Sequence, residues 1–590
     1  MSLITKEFYD SPENRYKAAQ IDWEIARCLA ESGVSTEGTV APAAYLMCKA
    51  KQDCMVAELT MKSVADGRLD IPEEILRFVR EFHQHWLSEK VWRQLLSIAG
   101  NYTEEELALA AVISDSVSGY KYQTATPQSI LNLTQCILHI QEREQVVDLC
   151  CGTGSFLMGE SINQPQAAYF GCDINYQSTM IAKMCADLLG EEISIECCDV
   201  FQFAENANYP KADKIFSNYP FGMMLRNSND ASAYMQRLAQ AYPEFSKKTS
   251  SDWVFNALIC DLLAEGGKAV AVMTTGAAQN STDISMRKYL AERHMIESVI
   301  TLPKRMFAPY TSIGTSLIVF SHGNEGIRLV DATKLCLCGR RQNEFSPQNI
   351  EEILDALQAD GEYSRMISME ELRDNEYNLS LEHYTEEMPA FVNGVPFGEV
   401  TKSITRGASI TASQLDDMVS QTATRVQYLM LANIQDGIID DKLPYLTELD
   451  PKYDKYCLKN NDIILSKNGY PYKVAVARVE PEQKILANGN LYIIEPDENR
   501  INPYYIKAYF DSAQGIAALK NISVGTTIPN IGVDKLKNIA IPLPSMEEQN
   551  RIAEKYQATL NEIVRLKNEL TSAVDKLHTI FDEECQEKTL

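Results

Sequence analysis

Between residues 145 and 323 the chain alternates short apolar runs with stretches of helical spacing. The runs are QVVDLC, AAYFGCDI, ISIECCD, KIFSNYP, KAVAVMTT, MIESVITLP and SLIVFSHG. A strand that is apolar throughout needs cover on both faces, and helices recurring between such strands supply it as crossovers. The pattern therefore predicts a doubly wound α/β domain with a mainly parallel sheet of seven strands. Open sheets of this kind bind ligands beyond the carboxyl ends of their strands. The residues that end these runs are the first place to look for chemistry.

Four ends carry polar groups in a suggestive order. In VVDLCCGTGSFL, residues 146–157, a strand ends near Asp148, and Gly152, Thr153 and Gly154 form a turn leading into a helix. Glycines here let the backbone bend closely around a ligand. A dinucleotide fingerprint asks for a third glycine where Leu157 stands, which tilts the pocket toward another nucleoside cofactor. Asp173 ends the next run, nineteen residues after Gly154, where an acid can accept both hydroxyls of a ribose. A helix N-cap or a solvated loop acid explains Asp173 equally well. Asp199 ends the third run, and FSNYPFG, residues 216–222, ends the fourth. That turn packs Asn218, Pro220 and Phe221 into four residues, a set able to hold the exocyclic amino group of a base. Each feature alone has a bland reading; their joint order does not.

The rest of the chain reads as three further parts. Residues 1–115 have apolar residues at three- and four-residue intervals and predict a helical domain, ahead of the α/β domain at 116–390. Residues 340–390 look charged and helical. Residues 391–545 are strand- and turn-rich and predict an α+β domain. Residues 546–590 return to helix, with a heptad series at Tyr556, Leu560, Ile563, Lys567, Leu570, Val574, Leu577 and Phe581.

Charge and cysteine usage narrow the classes. The net charge of −26 argues against nucleic-acid binding by bulk attraction. It is uneven: residues 391–590 hold 22 Lys+Arg against 27 Asp+Glu, the first 390 hold 33 against 54. The C-terminal third is the better candidate for contact with DNA. None of the fifteen cysteines has zinc-site spacing, so no metal is expected and the thiols read as small buried hydrophobes. The polar N-terminus and the lack of a long apolar run predict a cytoplasmic protein without membrane attachment. No lysine before residue 111 has an acid two positions earlier, which leaves that segment without a nuclease motif of the (D/E)-x-K kind.

DLCCGTGSFL, GCDI, CCDVF and SNYPFG resemble the cofactor and catalytic motifs of adenine-N6 DNA methyltransferases. The resemblance is strongest to the modification subunit of type I restriction-modification systems. It extends over roughly 100–390 through KYQTATPQSI, SDWVFNALICDLLAEGGKAVAVMTTG and LPKRMFAPYTSIGTSLIVF. In the C-terminal part, VQYLMLANIQDGII, LKNNDIILSKNG and SVGTTIPNIGVDKLKNIAIPLPSMEEQ resemble one half of a specificity subunit, with one target-recognition domain and one spacer helix.

The resemblance implies a seven-stranded Rossmann-like methyltransferase core using S-adenosylmethionine to methylate adenine N6 in double-stranded DNA. It implies Asn218, Tyr219, Pro220 and Phe221 as the catalytic turn. It implies Tyr122, Gln123, Thr124, Thr126, Pro127, Asp148, Gly152, Thr153, Gly154, Asp173, Asp199 and Asn218 around the cofactor. Phe307 is expected either as a second stacking face for the flipped base or as a core aromatic. The half-reader implies a homodimer through the terminal helices, with Lys567 as a polar residue inside the seam, and a possible separate restriction or translocase subunit. One departure stands out: the family turn usually carries proline where this chain has Tyr219. The carbonyl acceptor at 219 survives the change, while loss of proline's fixed φ costs about 0.4–1 kcal/mol through the unfolded state. Tyr219 is expected to add bulk near the base pocket, yet to leave the turn usable. The competing expectation is a silenced, methyltransferase-like DNA reader of a defence complex. RNA or protein amino-methylation is a third.

Overall fold

All seven apolar runs form strands: β1 Gln145–Leu149, β2 Ala168–Asp173, β3 Ile193–Cys197, β4 Ala212–Ser217, β5 Leu263–Thr274, β6 Ile296–Thr301 and β7 Thr315–Phe320. Two more follow, β8 Gly326–Asp331 and β9 Ser364–Ser368. The nine strands make one sheet in the order β3-β2-β1-β4-β5-β7-β6-β8-β9. β1 to β5 are mutually parallel, β7 runs antiparallel between β5 and β6, and β9 is antiparallel to β8. The sheet thus has nine strands rather than the seven expected. β8 is interrupted by Arg328, and β9, SRMIS, sits in the charged stretch expected to be helical. β9 is the edge strand, where polar residues are tolerated and the apolar signal is weak.

This computed structural model describes residues 3–53, 64, 66–82, 88–114, 125–190, 193–202, 211–221, 229–245, 248–385, 394–440, 442–524 and 529–587. They divide into two compact units, Met1–Glu382 and His383–Leu590. In the first unit the described residues before 115 are helical, as expected, with helices Pro12–Glu31, Val40–Gln52, Glu73–Phe82, Glu89–Ala99 and Glu104–Ile113. They share one apolar core with the sheet: Ile21, Tyr45, Trp92 and Leu107 belong to the same buried cluster as Phe156, Met180, Phe216 and Phe307. Tyr45 donates to Asp187 at 2.7 Å, and Lys49 pairs with the same carboxylate at 2.7 Å. Two polar contacts on one acid thus fasten these helices to helix Tyr176–Leu189.

The second unit is α+β, as expected. An antiparallel sheet joins Thr401–Arg406, Leu491–Pro496, Ile463–Ser466 and Val474–Val476, and a smaller sheet centres on Val426–Leu429. Gly394–Pro396 pairs antiparallel with Ala540–Pro542, so the start of the unit is stitched to the foot of its last helix, Met546–Glu587. That foot is well held. The buried Gln549 donates to the carbonyls of Arg500 and Pro544 and accepts from Asn502 N at 2.9 Å. Tyr556 donates to Asp511, and Lys507 lies 5.5 Å from its ring. Beyond Tyr556 the helix opens to solvent, with Ile563, Leu566, Leu570, Val574 and Leu577 exposed. Lys567 does not behave as a seam residue within this chain. It forms an ion pair with Asp436 of its own unit. Among the described residues no helix is long and apolar enough to cross a membrane.

Candidate active site

The chain runs outward through β1, β2 and β3, then returns to the other side of β1 for β4. The crevice at that reversal is where the strand-end residues meet. Register places Asp148 of β1 beside Gly171 of β2 and Phe216 of β4. Asp173 ends β2 opposite Cys197 of β3.

The loop after β1 is shaped by left-handed backbone at Cys150, Gly152 and Gly154, with φ of 76°, 54° and 84°. A Cβ at Gly154 would meet the Met158 methyl at 2.9 Å and Ala182 at 3.2 Å, so the helix Ser155–Asn163 can start here only from glycine. The N–H groups of Cys150 and Cys151 both donate to the Cys172 carbonyl, at 3.0 and 2.8 Å, which folds the loop onto the end of β2. Asp173 completes the fold: its Oδ2 accepts from Gly152 N at 2.9 Å and its Oδ1 from Asn175 N at 2.8 Å. Each carboxylate oxygen keeps a second lone pair for a ligand hydroxyl. Asp173 thus ties the glycine loop to the turn after β2.

Two acids in this crevice have raised proton affinity. Burial pushes the Asp148 carboxyl well above the usual carboxylate range, and the charge of Asp173 adds to it. Burial also raises Asp173, opposed by the N–H groups of Asn175 and Gly152. Asp148 Oδ1 is buried and accepts no hydrogen bond among the described residues. Asp199 lies after β3, where its Oδ1 accepts from Phe201 N at 3.0 Å. The thiols of Cys151 and Cys172 are pushed up by burial, which keeps them neutral and unreactive.

The turn that begins at Asn218 leaves β4 directly. Ser217 donates to the Leu149 carbonyl, tying the ends of β4 and β1. Asn218 Nδ2 donates to Thr126 Oγ1 at 2.9 Å, which brings the upstream Thr-Pro segment, including Pro127, to the turn. This contact orients the amide, with its nitrogen on Thr126 and its oxygen as the acceptor end. Tyr122, Gln123 and Thr124 lie outside the described residues.

Tyr219 differs from expectation. Its side chain adds no bulk to a base pocket, because it is 0 % exposed and turned into the core behind the turn. The ring stacks on Phe255 with centroids 4.8 Å apart and planes 6° apart, and the hydroxyl donates to Asn256 Oδ1 at 2.9 Å. Burial holds its hydroxyl well above the ordinary tyrosine range. Pro220 is partly exposed in the turn, and Phe221 and Phe307 meet edge to face, 6.2 Å apart at 90°. Phe221 is 8 % and Phe307 2 % exposed, so the two rings come together as core neighbours and not as parallel jaws.

Three residues of the site carry no expectation from the sequence. On helix Ser251–Leu262, Asp252 accepts from Thr274 N at 2.8 Å and Thr274 Oγ1 at 3.0 Å, one turn before the adjacent pair Phe255 and Asn256. The signal was present in SDWVFNALICDL: two buried polar residues four apart on an otherwise apolar helix share a face and require partners.

Residues 110–390 match the N-6 DNA Methylase family and residues 442–576 the type I restriction modification DNA specificity domain. The chain is 25% identical over 289 residues to the type I restriction enzyme MjaVII methylase subunit of Methanocaldococcus jannaschii, covering 44% of this chain and 48% of that protein. It is 32% identical over 149 residues to a putative MjaX specificity subunit of the same organism, covering 24% of this chain and 34% of the relative. The chain spans about half the length of the curated methylase subunits it matches. A type I restriction-modification methyltransferase subunit from Streptococcus thermophilus shares the fold, with a TM-score of 0.50 at 19% identity, over 62% of this chain and 98% of that one. One polypeptide thus carries a segment matching the N-6 DNA Methylase family, residues 110–390, and a segment matching the type I restriction modification DNA specificity domain, residues 442–576.

Proposed function

We propose that the chain is a site-specific DNA methyltransferase that moves a methyl group from S-adenosylmethionine to the N6 of an adenine flipped out of duplex DNA. The observation that carries this reading is the 2.9 Å contact between Asn218 and Thr126. It brings the SNYPFG turn and the Thr-Pro segment together beside the glycine loop and Asp173, at the reversal point of the sheet.

The crevice fits the cofactor by its donor set. The left-handed glycine loop leaves room for a nucleoside, Asp173 retains lone pairs for ribose hydroxyls, and two acids with raised proton affinity suit a cationic ligand. S-adenosylmethionine, when bound, supplies a methyl group on a sulfonium, an electrophile that needs no metal. The protein's task is the nucleophile. Adenine N6 is a poor one because its lone pair is delocalised into the ring. Asn218 Oδ1 and the Tyr219 carbonyl, accepting its two N–H bonds, favour a tetrahedral nitrogen and stabilise the charge that develops there. Phe221 offers a face to the flipped base once its edge contact with Phe307 opens. Tyr219 is no argument for a silenced enzyme in this reading, since its ring sits behind the turn.

The second unit supplies the DNA target, and the open apolar row Ile563–Leu566–Leu570–Val574–Leu577 is the seam for a second copy of the chain. Two copies paired there present two identical recognition domains, which suits a bipartite target with inverted half-sites. A separate restriction or translocase subunit completes the system in this reading. The test offers tritiated S-adenosylmethionine with unmethylated genomic DNA, total RNA and protein in parallel. Label confined to DNA, recovered as N6-methyladenine, is expected. Label in RNA or protein instead, or none at all, would overturn the function.

A further inference from the structure

Tyr219 stands where the family turn usually has proline, and the structure gives its side chain a definite place. It is fully buried, its ring lies face to face with Phe255, and its hydroxyl donates to Asn256. Asn256 is itself fully buried, and its amide nitrogen lies 3.9 Å from the Met273 sulfur, a weaker contact than the one its oxygen makes with Tyr219. Phe255 continues the stack to Phe201, at 5.0 Å between centroids. Phe201 N is the donor to Asp199, on the loop after β3. One aromatic row, Tyr219–Phe255–Phe201, therefore braces two loops of the crevice from behind, the one with Asp199 and the one with Asn218.

We infer that the Tyr219 side chain is a positioning residue for methyl transfer, a tether that fixes the Asn218–Tyr219 backbone in place of the missing proline ring. The inference rests on the proposed methyltransferase function and adds a role for Tyr219, Phe255 and Asn256. Proline holds a turn through its own φ; here the same end is reached by fixing where the side chain goes. A buried ring with one ring face and one hydroxyl committed leaves the 219 carbonyl a single direction. That carbonyl is the second acceptor for N6. A small displacement of a preorganised acceptor lowers the chemical rate more than it lowers binding.

The test is the single-turnover rate of methyl transfer to unmethylated genomic DNA at saturating S-adenosylmethionine, with cofactor affinity measured by calorimetry. Tyr219→Phe keeps the ring and removes the hydroxyl; Asn256→Leu removes its acceptor. Each is expected to transfer about ten-fold more slowly with cofactor affinity unchanged. The double variant is expected to be no slower than the worse single, because the two changes delete one bond. Tyr219→Pro restores the usual family sequence yet is expected to stay slower than wild type, since it removes the ring from the stack. A melting temperature that falls while Tyr219→Phe transfers at the wild-type rate overturns the tether and leaves Tyr219 as ordinary core. If Asn256→Leu does not fold, Tyr219→Phe decides alone. Wild-type protein that leaves the DNA unmethylated overturns the function itself, and the tether with it.

Discussion

At the catalytic turn a polar, aromatic residue is drawn into the core; along the terminal helix a row of apolar residues is left in water. Tyr219 is 0 % exposed, while Leu570 and Leu577 are 65% and 69% exposed. In the proposed mechanism the working groups at the turn are the Asn218 amide and a backbone carbonyl, so the side chain at 219 is free to serve packing. In the proposed pairing of two chains the helix side chains are the contact surface, and burying them within the chain would remove it. The turn is complete within its own unit, whereas the far end of the helix is not.

The most severe way to break the turn is to remove its acceptor. Asn218→Ala is expected to lower methyl transfer about 100-fold or more, as loss of one preorganised polar contact does at developing charge. Cofactor affinity by calorimetry should be nearly unchanged. A variant that transfers at the parental rate removes Asn218 from the chemistry. On the helix the matching experiment is Leu570→Glu with Leu577→Glu. Burial of a leucine contributes about 1.5–3 kcal/mol, so the pair should weaken self-association about 100-fold or more and leave cofactor affinity alone. Light scattering reads this directly. Wild-type chain that stays monomeric at tens of micromolar, on and off DNA, removes the seam and leaves a half-reader that works alone.

Asp173 gives a smaller and more selective effect. Asp173→Ala is expected to weaken S-adenosylmethionine binding by about 1–3 kcal/mol, the range for a hydrogen bond to a charged group. Part of that loss is indirect, because Asp173 also holds Gly152 N. Asp173→Asn, which keeps one acceptor oxygen for the loop or the ribose but not both, should fall between. An effect seen only in the transfer rate at saturating cofactor, with affinity intact, contradicts the assignment.

The same contrast explains what was legible beforehand. Six of the seven expected strands lie inside the sheet, where strands covered on both faces must be apolar throughout, and β3 lies at its edge. Asp148, the glycine loop, Asp173 and Asn218 were readable because a turn around a ligand restricts residue types at fixed offsets from a strand end. β8 and β9 were missed because Arg328 breaks the apolar run of the one, and the other, at the sheet's edge, tolerates Arg365 and serines. The direction of the Tyr219 ring was missed for another reason. It depends on Phe255 and Asn256, thirty-odd residues away on a helix that pattern alone marks only as apolar. Lys567 was placed in the seam by heptad count, but Asp436, which it meets, lies in a turn more than a hundred residues earlier. Pairings of that kind are set by tertiary structure and leave no periodic trace.

The smallest expected effect concerns an acid beside the turn's partner loop. Glu160 sits on helix Ser155–Asn163, which begins at the glycine loop, and it is buried. Its backbone carbonyl accepts from Tyr169 at 2.8 Å. Burial pushes its carboxyl up to about 8, and the charge of Lys6 offsets this only in part. Tyr9 and Cys136 also face it, and neither carries a positive charge. The folded state therefore keeps a proton that the unfolded chain has lost above its ordinary value near 4.3. Stability falls as pH rises through the window between the two values and is level again above about 8. Glu160→Gln abolishes the titration while keeping the shape. Below pH about 4 the variant and wild type should melt together. At pH 8 the variant should melt at a higher temperature than wild type. The two curves must separate progressively between those limits, because the neutral amide does not titrate. Curves that run parallel from pH 4 to 9 would show that the Glu160 carboxylate reaches water, and that the helix behind the cofactor loop is less tightly closed than the catalytic turn.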